Sequence, residues 1–512
     1  MLAIVHACAV VGLDGHIIEV QVDFNPKAGI PSFTIVGLPD SAVRESRERV
    51  RSAIKNSRLR FPNKGYVVNL SPADLPKHGP AYDLAIAIGV LAATDQVPMP
   101  ALDNTLFIGE LSLDGRINHV KGVMPMTYAA VQNGIQAVHV PAMDAPQASL
   151  IEEATVYPTE TLGQLVEHLY DLNPIGPFHS DDNRLNQDED WPADLVDFAD
   201  VKGQEHVKRA LEIAAAGNHN VRMVGPPGVG KSLLARAMPG IMPIMSREEA
   251  LEVTRIYSVA DILDASQPLK RHRSFRSPHH TISQAGLVGG GTMPKPGEVS
   301  LAHLGVLFLD EINEFGTRAL EVLRQPLEDK EVTISRAKGS LTFPANFQLI
   351  AAHNPCPCGY YGDSSRECTC TPTMIKRYEA RLSGPLLDRI DIHVTVPRVD
   401  YDKLMGSEQA ESSTTIRERV QSARALQSRR FANMPGVYAN SDMSVGDVQR
   451  MCILTPQAKQ VLELSVRRMQ LSARAYHRVL KLSRTIADLA ASEFIEVNHV
   501  AESLQYRPQN ER

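Results

Sequence analysis

At 512 residues the chain is long enough for about three domains, each with its own buried core. A content of 43% hydrophobic and 22% charged residues is that of an ordinary globular protein, and a net charge of −6 excludes a polycationic nucleic-acid binder, so any surface for nucleic acid has to be local. Apolar stretches such as 84–93 are shorter than a membrane span, and the apolar start over 2–13 has no basic region before it; no membrane partner and no secretory signal are expected, and the six cysteines are expected to be reduced in the cytoplasm.

Up to about residue 175 the pattern is α/β. Residues 17–22 and 66–70 read as strands, 41–56 as a helix with a charged outer face, and 83–93 as a buried helix. The stretch 176–199 is acidic, with Asp181, Asp182, Asp188, Glu189, Asp190, Asp194 and Asp197, and reads as a solvated linker in which the only tryptophan, Trp191, anchors the start of the next domain.

The segment 200–399 opens with Asp200-Val201-Lys202-Gly203-Gln204 and a helix over 205–216, and contains the motif around which the chain is organised. Gly225-Pro226-Pro227-Gly228-Val229-Gly230-Lys231-Ser232 satisfies G-x-x-x-x-G-K-[ST] at every fixed position, between a strand over 220–224 and a helix over 231–238 that Pro239 is expected to close. The glycines let backbone N–H groups turn inward around phosphates; Lys231 then reaches the β and γ phosphates, and the Ser232 hydroxyl ligates Mg²⁺. ATP with Mg²⁺ is the expected ligand pair. About 80 residues on, an apolar strand over 305–309 ends in two carboxylates, as suits the middle of a parallel sheet. Asp310 would hold the Mg²⁺ shell and Glu311 would orient and deprotonate the attacking water.

A third strand over 347–353 ends at Asn354, which either holds the water or the γ-phosphate or simply turns the chain. Arg389, in Leu386-Leu387-Asp388-Arg389-Ile390-Asp391, is either an arginine finger for a neighbouring subunit or one half of an ion pair with Asp388 or Asp391. Cys356, Cys358, Cys368 and Cys370 lie close together in a reducing setting; they read as a tetrahedral Zn²⁺ site, with a loop of free thiols as the alternative. Cys8 and Cys452 stand alone and read as core residues.

From 400 to 512 the pattern is helical: Thr455-Pro456, Ser472 and Asn498 are candidate helix starts, and Val479, Leu482, Ile486 and Leu489 form an apolar stripe. Between 416 and 484 there are 13 Lys and Arg against 4 Asp and Glu, a local basic excess that the acidic total conceals.

Together these motifs resemble the AAA+ family, in its magnesium-chelatase-like branch and the YifB-type proteins within it. The resemblance covers essentially the whole chain, including Phe275-Arg276-Ser277-Pro278-His279-His280 and Asn354-Pro355-Cys356-Pro357-Cys358-Gly359. It implies a Lon-protease-like α/β N-terminal domain, a P-loop core with a parallel sheet, and a small helical lid. In the N-terminal domain Ala81 of Gly79-Pro80-Ala81 stands where Lon-type proteases carry their serine, and Met124 stands at the place of their lysine; because nucleophilic catalysis needs both groups, a non-proteolytic relative is expected. The resemblance also implies a homo-hexameric ring with ATP between subunits, acting as a helicase or branch-migration motor on single-stranded and branched DNA, beside recombination proteins, in natural transformation. By the same resemblance Arg474 senses the γ-phosphate, with Arg478 one turn further on as the substitute. The glycine-rich loop 286–298 and the hairpin 331–343 would project into the ring's channel, where Lys295, Arg336 and Lys338 meet phosphates, unless they are simply solvated. Such a core also suits a chelatase motor subunit or a nucleotide-gated scaffold that does not act on DNA.

Overall fold

The apolar alternation at the start of the chain becomes, in the computed structural model, a pair of long antiparallel strands. These are β1 (Leu2–Val11) and β2 (Asp14–Asn25), with Val5 opposite Val20 and Ala7 opposite Ile18. The period of two puts Ala3, Val5 and Ala7 of β1 and Ile18, Val20 and Val22 of β2 in one core. The structure describes residues 1–179, 196–264, 267–291, 294–336, 339–363, 366–399, 410–434 and 436–508, with only the backbone of Arg336 and Gly339. Trp191 and most of the acidic stretch therefore lie outside the described residues. The described chain divides into two compact units, residues 1–189 with 250–270, and residues 190–249 with 271–512. No described helix is long and apolar enough to cross a membrane.

The first unit adds β3 (Ser32–Val36), β4 (Gly65–Ser71), β5 (Thr105–Phe107), β6 (Ala137–Pro141) and β7 (Thr155–Thr159) to a seven-stranded sheet of order β3-β4-β2-β1-β5-β6-β7. Its helix α1 (Ser41–Asn56) has the expected bounds and is capped by Asp40, whose carboxylate accepts from Val43 N at 2.8 Å. Helix α2 (Asp83–Ala93) is buried along its whole length, as its unbroken apolar run predicts. Asp83 goes inside with it, held by Arg49, Ser46 and the Leu111 N–H, because a buried carboxylate is tolerated only when its oxygens are paired. Ala81 ends the loop before α2, and Met124 lies buried in α3 (Val123–Gln132); neither carries an ionisable group.

Residues 250–270 follow the phosphate-loop helix in sequence but belong to the first unit. Arg255, on the helix Arg247–Ala260, donates to Leu13 O at 2.7 Å, and Gly122 N donates to Ser258 O at 3.2 Å. Asp261 receives His119 at 2.9 Å and Lys121 at 2.6 Å, while His119 reaches Asp144 at 2.5 Å with its other nitrogen.

In the second unit β8 (Val221–Val224), β9 (Phe275–Arg276), β10 (Val306–Leu309), β11 (Gln348–His353) and β12 (Ile392–Thr395) form one parallel sheet of order β9-β10-β11-β8-β12. Every residue of β10 and β11 is buried, as an apolar run in a sheet covered on both faces requires. Helices α4 (Glu205–Gly217) and α5 (Lys231–Ile241) pack with this sheet in one core. Pro239 does not close α5: the helix continues two residues further, since proline this near a carboxyl end breaks only one hydrogen bond of the last turn.

The helical region comprises α6 (Ser413–Phe431), α7 (Pro456–Met469), α8 (Ala473–Leu489) and α9 (Val497–Gln505). Thr455 and Ser472 cap α7 and α8 as the sequence predicts, each accepting from an N–H three residues on. Asn498 is not a cap; Glu496 takes that place and its own N–H donates to His499, so Asn498 lies in the first turn. The stripe on α8 is divided: Leu482, Ile486 and Leu489 join the core under the parallel sheet, whereas Val479 joins a separate helical cluster with Leu462 and Val500.

The Asp144 hydrogen bond pushes the His119 imidazole up to about 9 against the effect of burial, and Asp261 adds to it. Its folded value thus exceeds the ordinary histidine value, so the stabilisation is complete below about pH 6.5 and lost as pH rises through about 9. Between these pH values the melting temperature of the wild type is expected to fall towards that of His119→Gln; two parallel melting curves would refute the assignment.

Candidate active site

The site is assembled at the carboxyl ends of three adjacent parallel strands. From β8 the chain enters the phosphate loop, whose Gly228 and Gly230 have φ of +78° and +89°, a backbone that a side chain would strain. From β10 come Asp310 and Glu311, and from β11 comes Asn354. Parallel pairing of β8 with β11 and of β11 with β10 keeps these ends level, with Val224 opposite His353 and Ala351 opposite Leu309.

The Lys231 ammonium, nearly buried, donates to Gly225 O at 2.6 Å, to Pro226 O at 2.8 Å and to Asn354 Oδ1 at 3.1 Å. Burial pushes it below the ordinary lysine range, against the pull of Asp310 and Glu311. Ser232 Oγ donates to Asp310 Oδ2 at 2.7 Å, so the two groups assigned to Mg²⁺ already face each other. A hydroxyl and a carboxylate at this spacing suit a small hard cation that keeps most of its waters and takes its other ligands from phosphate. The Glu311 backbone lies in the left-handed region at φ +49°, unusual for a residue with a side chain, and its N–H donates to Asp310 Oδ1 at 3.0 Å. Glu311 itself is exposed, as a residue that would handle water requires.

Two supporting residues were missed in the sequence. His353 accepts from Arg222 Nε at 2.8 Å through Nε2 and donates to Asn354 O at 2.6 Å through Nδ1, which orients the residue that meets Lys231. Burial, then the Arg222 charge, pushes this imidazole down to about 3, so it stays neutral with one nitrogen to accept and one to donate. A histidine closing an apolar strand was the available signal. Gln204 donates to Val229 O at 2.8 Å and to Pro397 O at 3.1 Å, tying the phosphate loop to the chain after β12. In the sequence its stretch marks only the opening of the core.

Arg389 is not in this cluster. Asn220, just before β8, donates from Nδ2 to Arg389 O at 2.9 Å, which puts Arg389 at the amino ends of strands whose carboxyl ends carry the phosphate loop. Its guanidinium donates to Pro385 O at 2.6 Å and pairs with Glu328, not with Asp388 or Asp391. Arg474, at the start of α8, is largely exposed and lies 3.8 Å from Asp388, the neighbour of Arg389; it is at the same end and does not join Lys231. Arg478 reaches Asp391 at 3.5 Å.

The glycine-rich segment is not an open loop in its described part. Gly289–Gly290 pairs antiparallel with Lys295–Pro296, and Lys295, opposite Gly290, is exposed. The second hairpin is as expected, Glu331–Arg336 against Gly339–Pro344. Lys338 lies outside the described residues, and the Arg336 side chain is likewise not described.

Directly after Asn354 the four cysteines bring their sulfurs within 4.8 Å of one another. Cys356 is 3.3 Å from Cys358 and 3.6 Å from Cys368, and Cys358 is 3.6 Å from Cys368. Tetrahedral Zn–S bonds of about 2.3 Å set sulfurs about 3.8 Å apart, so the set is compatible with one such ion.

The family described as magnesium chelatase, subunit ChlI, matches residues 197–404, one described as subunit ChlI of Mg-chelatase matches 20–144, and one described as magnesium chelatase, subunit ChlI C-terminal, matches 410–507. With the strand order and the site, this defines an AAA+ P-loop ATPase of the magnesium-chelatase-like branch. The chain is 42% identical over 507 residues to the competence protein ComM of Haemophilus influenzae, covering 99% of this chain and 97% of that one, and 40% identical over 514 residues to YifB of Escherichia coli, covering 99% and 97%. It belongs to the ComM/YifB family. A shorter likeness, 31% identical over 185 residues, is to Lon protease 2 of Bacillus subtilis, with 31% of this chain and 33% of that protein covered.

Lys231→Ala is expected to weaken triphosphate binding by about ten- to a hundred-fold, the worth of a hydrogen-bonded charge. Ser232→Ala is expected to raise the Mg²⁺ concentration needed for half-maximal turnover while metal-free nucleotide binding persists. Titration with a fluorescent ATP analogue, with and without Mg²⁺, distinguishes the two; equal effects of both variants would refute the separate roles.

Proposed function

We propose that this protein is an ATP-driven motor on DNA that works as a homo-hexameric ring in the cytoplasm, unwinding strands or moving branch points so that incoming strands are integrated during natural transformation. It would bind single-stranded and branched DNA and work beside recombination proteins. ATP and Mg²⁺ power it, and the four cysteines take a structural Zn²⁺. The first unit, with Ala81 and Met124 at the two catalytic positions of Lon-type proteases, does not cut peptides.

The observation that carries the ring is the separation of Arg389 from the phosphate loop along the same strands. An arginine at the amino ends cannot serve the triphosphate at the carboxyl ends of its own sheet, but it can serve that of a second copy. A closed ring is the symmetric arrangement in which every copy gives and receives such a finger. Arg474, beside Asp388, would reach the same neighbouring nucleotide. DNA as the substrate is supported by likeness over 99% of the chain to a protein named for competence, and by two hairpins carrying Lys295 and Arg336. A chelatase motor or a nucleotide-gated scaffold is the second reading, supported by the name of the matching family.

The test uses a labelled four-way junction with ATP and Mg²⁺ across a salt series. The wild type is expected to separate the junction into duplexes. Glu311→Gln is expected to bind both ATP and junction without turnover, and binding is expected to weaken steeply as salt rises. ATP hydrolysis that neither moves DNA nor is stimulated by it would overturn this reading in favour of the second. For the ring, mixing Lys231→Ala with Arg389→Ala is expected to restore turnover absent from either alone, because each supplies what the other lacks; no restoration would overturn the shared site.

A further inference from the structure

We propose that the four-cysteine knot controls the nucleotide site: a Zn²⁺ held by Cys356, Cys358, Cys368 and Cys370 sets the position of the phosphate loop and of Asn354, so that nucleotide binding depends on the metal. This rests on the reading of the phosphate loop as a nucleotide-binding site, and neither on hydrolysis nor on DNA as the substrate.

The argument begins with where the knot is attached. Cys356 is two residues after Asn354, whose Oδ1 receives Lys231 at 3.1 Å. Between the first two cysteines and the rest of the loop lies Gly359, with φ +88°. A Cβ there would come 2.7 Å from Pro227 Cδ and 3.2 Å from Pro227 Cγ, too close for any side chain, and 3.9 Å from Asn354 Cγ. The backbone of the knot therefore rests directly on the tip of the phosphate loop. Pro227 and Asn354 both border the space that a Cβ on this glycine would enter, so the knot adjoins both.

The knot itself has the form of a metal site. Three of its sulfurs lie 3.3–3.6 Å apart and all four lie within 4.8 Å, compatible with one tetrahedral ion, and backbone N–H groups are turned onto two of them: Tyr361 N donates to Cys356 Sγ at 3.3 Å, and Cys358 N donates to Cys370 Sγ at 3.4 Å. N–H donors aimed at sulfur stabilise the thiolate form that a metal needs. The far side of the loop is pinned to the segment after β12, where Arg398 donates to Asp363 at 2.8 Å and lies 5.9 Å from the Tyr360 ring centre. Four thiolates without a cation repel one another, so the ion is what allows the sulfurs to pack this closely. When the ion leaves, the loop relaxes at Gly359, and Pro227 and Asn354 lose their support together.

The experiment uses the full chain. Metal content is measured after dialysis, and affinity for a fluorescent ATP analogue is measured before and after removal of the metal by a strong chelator, then after Zn²⁺ is returned. About one zinc per chain is expected, with a fall in analogue affinity of about ten-fold or more on removal and recovery on return. Gly359→Ala tests the contact without touching a ligand: it is expected to keep its zinc and lose affinity in the same way. A chain without bound zinc, or affinity unchanged by its removal, overturns the proposal, as does a Gly359→Ala protein that binds the analogue like the wild type. A zinc-loaded wild type that binds the analogue but never hydrolyses ATP would overturn the ATPase reading and leave the control of binding standing.

Discussion

The parallel registration of β8, β10 and β11 is the constraint on which the site depends. In a parallel sheet the carboxyl ends of neighbouring strands emerge side by side, so groups distant in sequence arrive together without any of them reaching far. Lys231, Asp310 and Asn354 come from three strands separated by about 80 and 40 residues, yet two hydrogen bonds, Ser232 to Asp310 and Lys231 to Asn354, join all three. The apolar interiors of these strands keep the register, because a slip would carry buried valines and leucines into solvent.

The same registration separates the phosphate loop from the arginines at the other end of the strands. Whatever leaves a strand at its amino end is directed away from the nucleotide. Arg389 and Arg474 are both at that end, tied down through Asn220, Asp388 and neighbouring groups. In the ring proposed above, a phosphate loop at one end and cationic groups at the other would make each copy both a donor and an acceptor. That polarity would suit the proposed head-to-tail assembly, in which hydrolysis in one copy could be felt by the next.

Around this centre the fold adds supports that tune rather than build the site. His353, neutral because it is buried beside Arg222, orients Asn354 from behind; Gln204 ties the phosphate loop to the chain leaving β12; and the cysteine knot underlies Pro227. Such supports matter because catalysis by positioning is lost with displacements of about 1 Å. In the first unit a similar economy is visible at α2, where one buried aspartate is satisfied by an arginine, a serine and a backbone N–H so that the rest of the helix can be apolar.

The sequence by itself determined what local rules govern. The phosphate loop, the acidic strand end, the caps at Thr455 and Ser472, and the bounds of α1 and α2 were all legible, since each depends on residues within a few positions of one another. Also legible was the set of four cysteines, because clustered thiols have few uses. Only the tertiary structure decided where contacts between distant segments fall. It carried residues 250–270 into the first unit, gave Arg389 the partner Glu328 in place of its sequence neighbours, and divided the α8 stripe between two cores. It also took Arg474 to Asp388 and turned the glycine-rich stretch into a short pair of strands. Each of these is a choice among several partners of equal chemistry, and that choice is made by how the sheet stacks its strands and which faces its helices can cover, a property of the packed whole that no window of sequence contains.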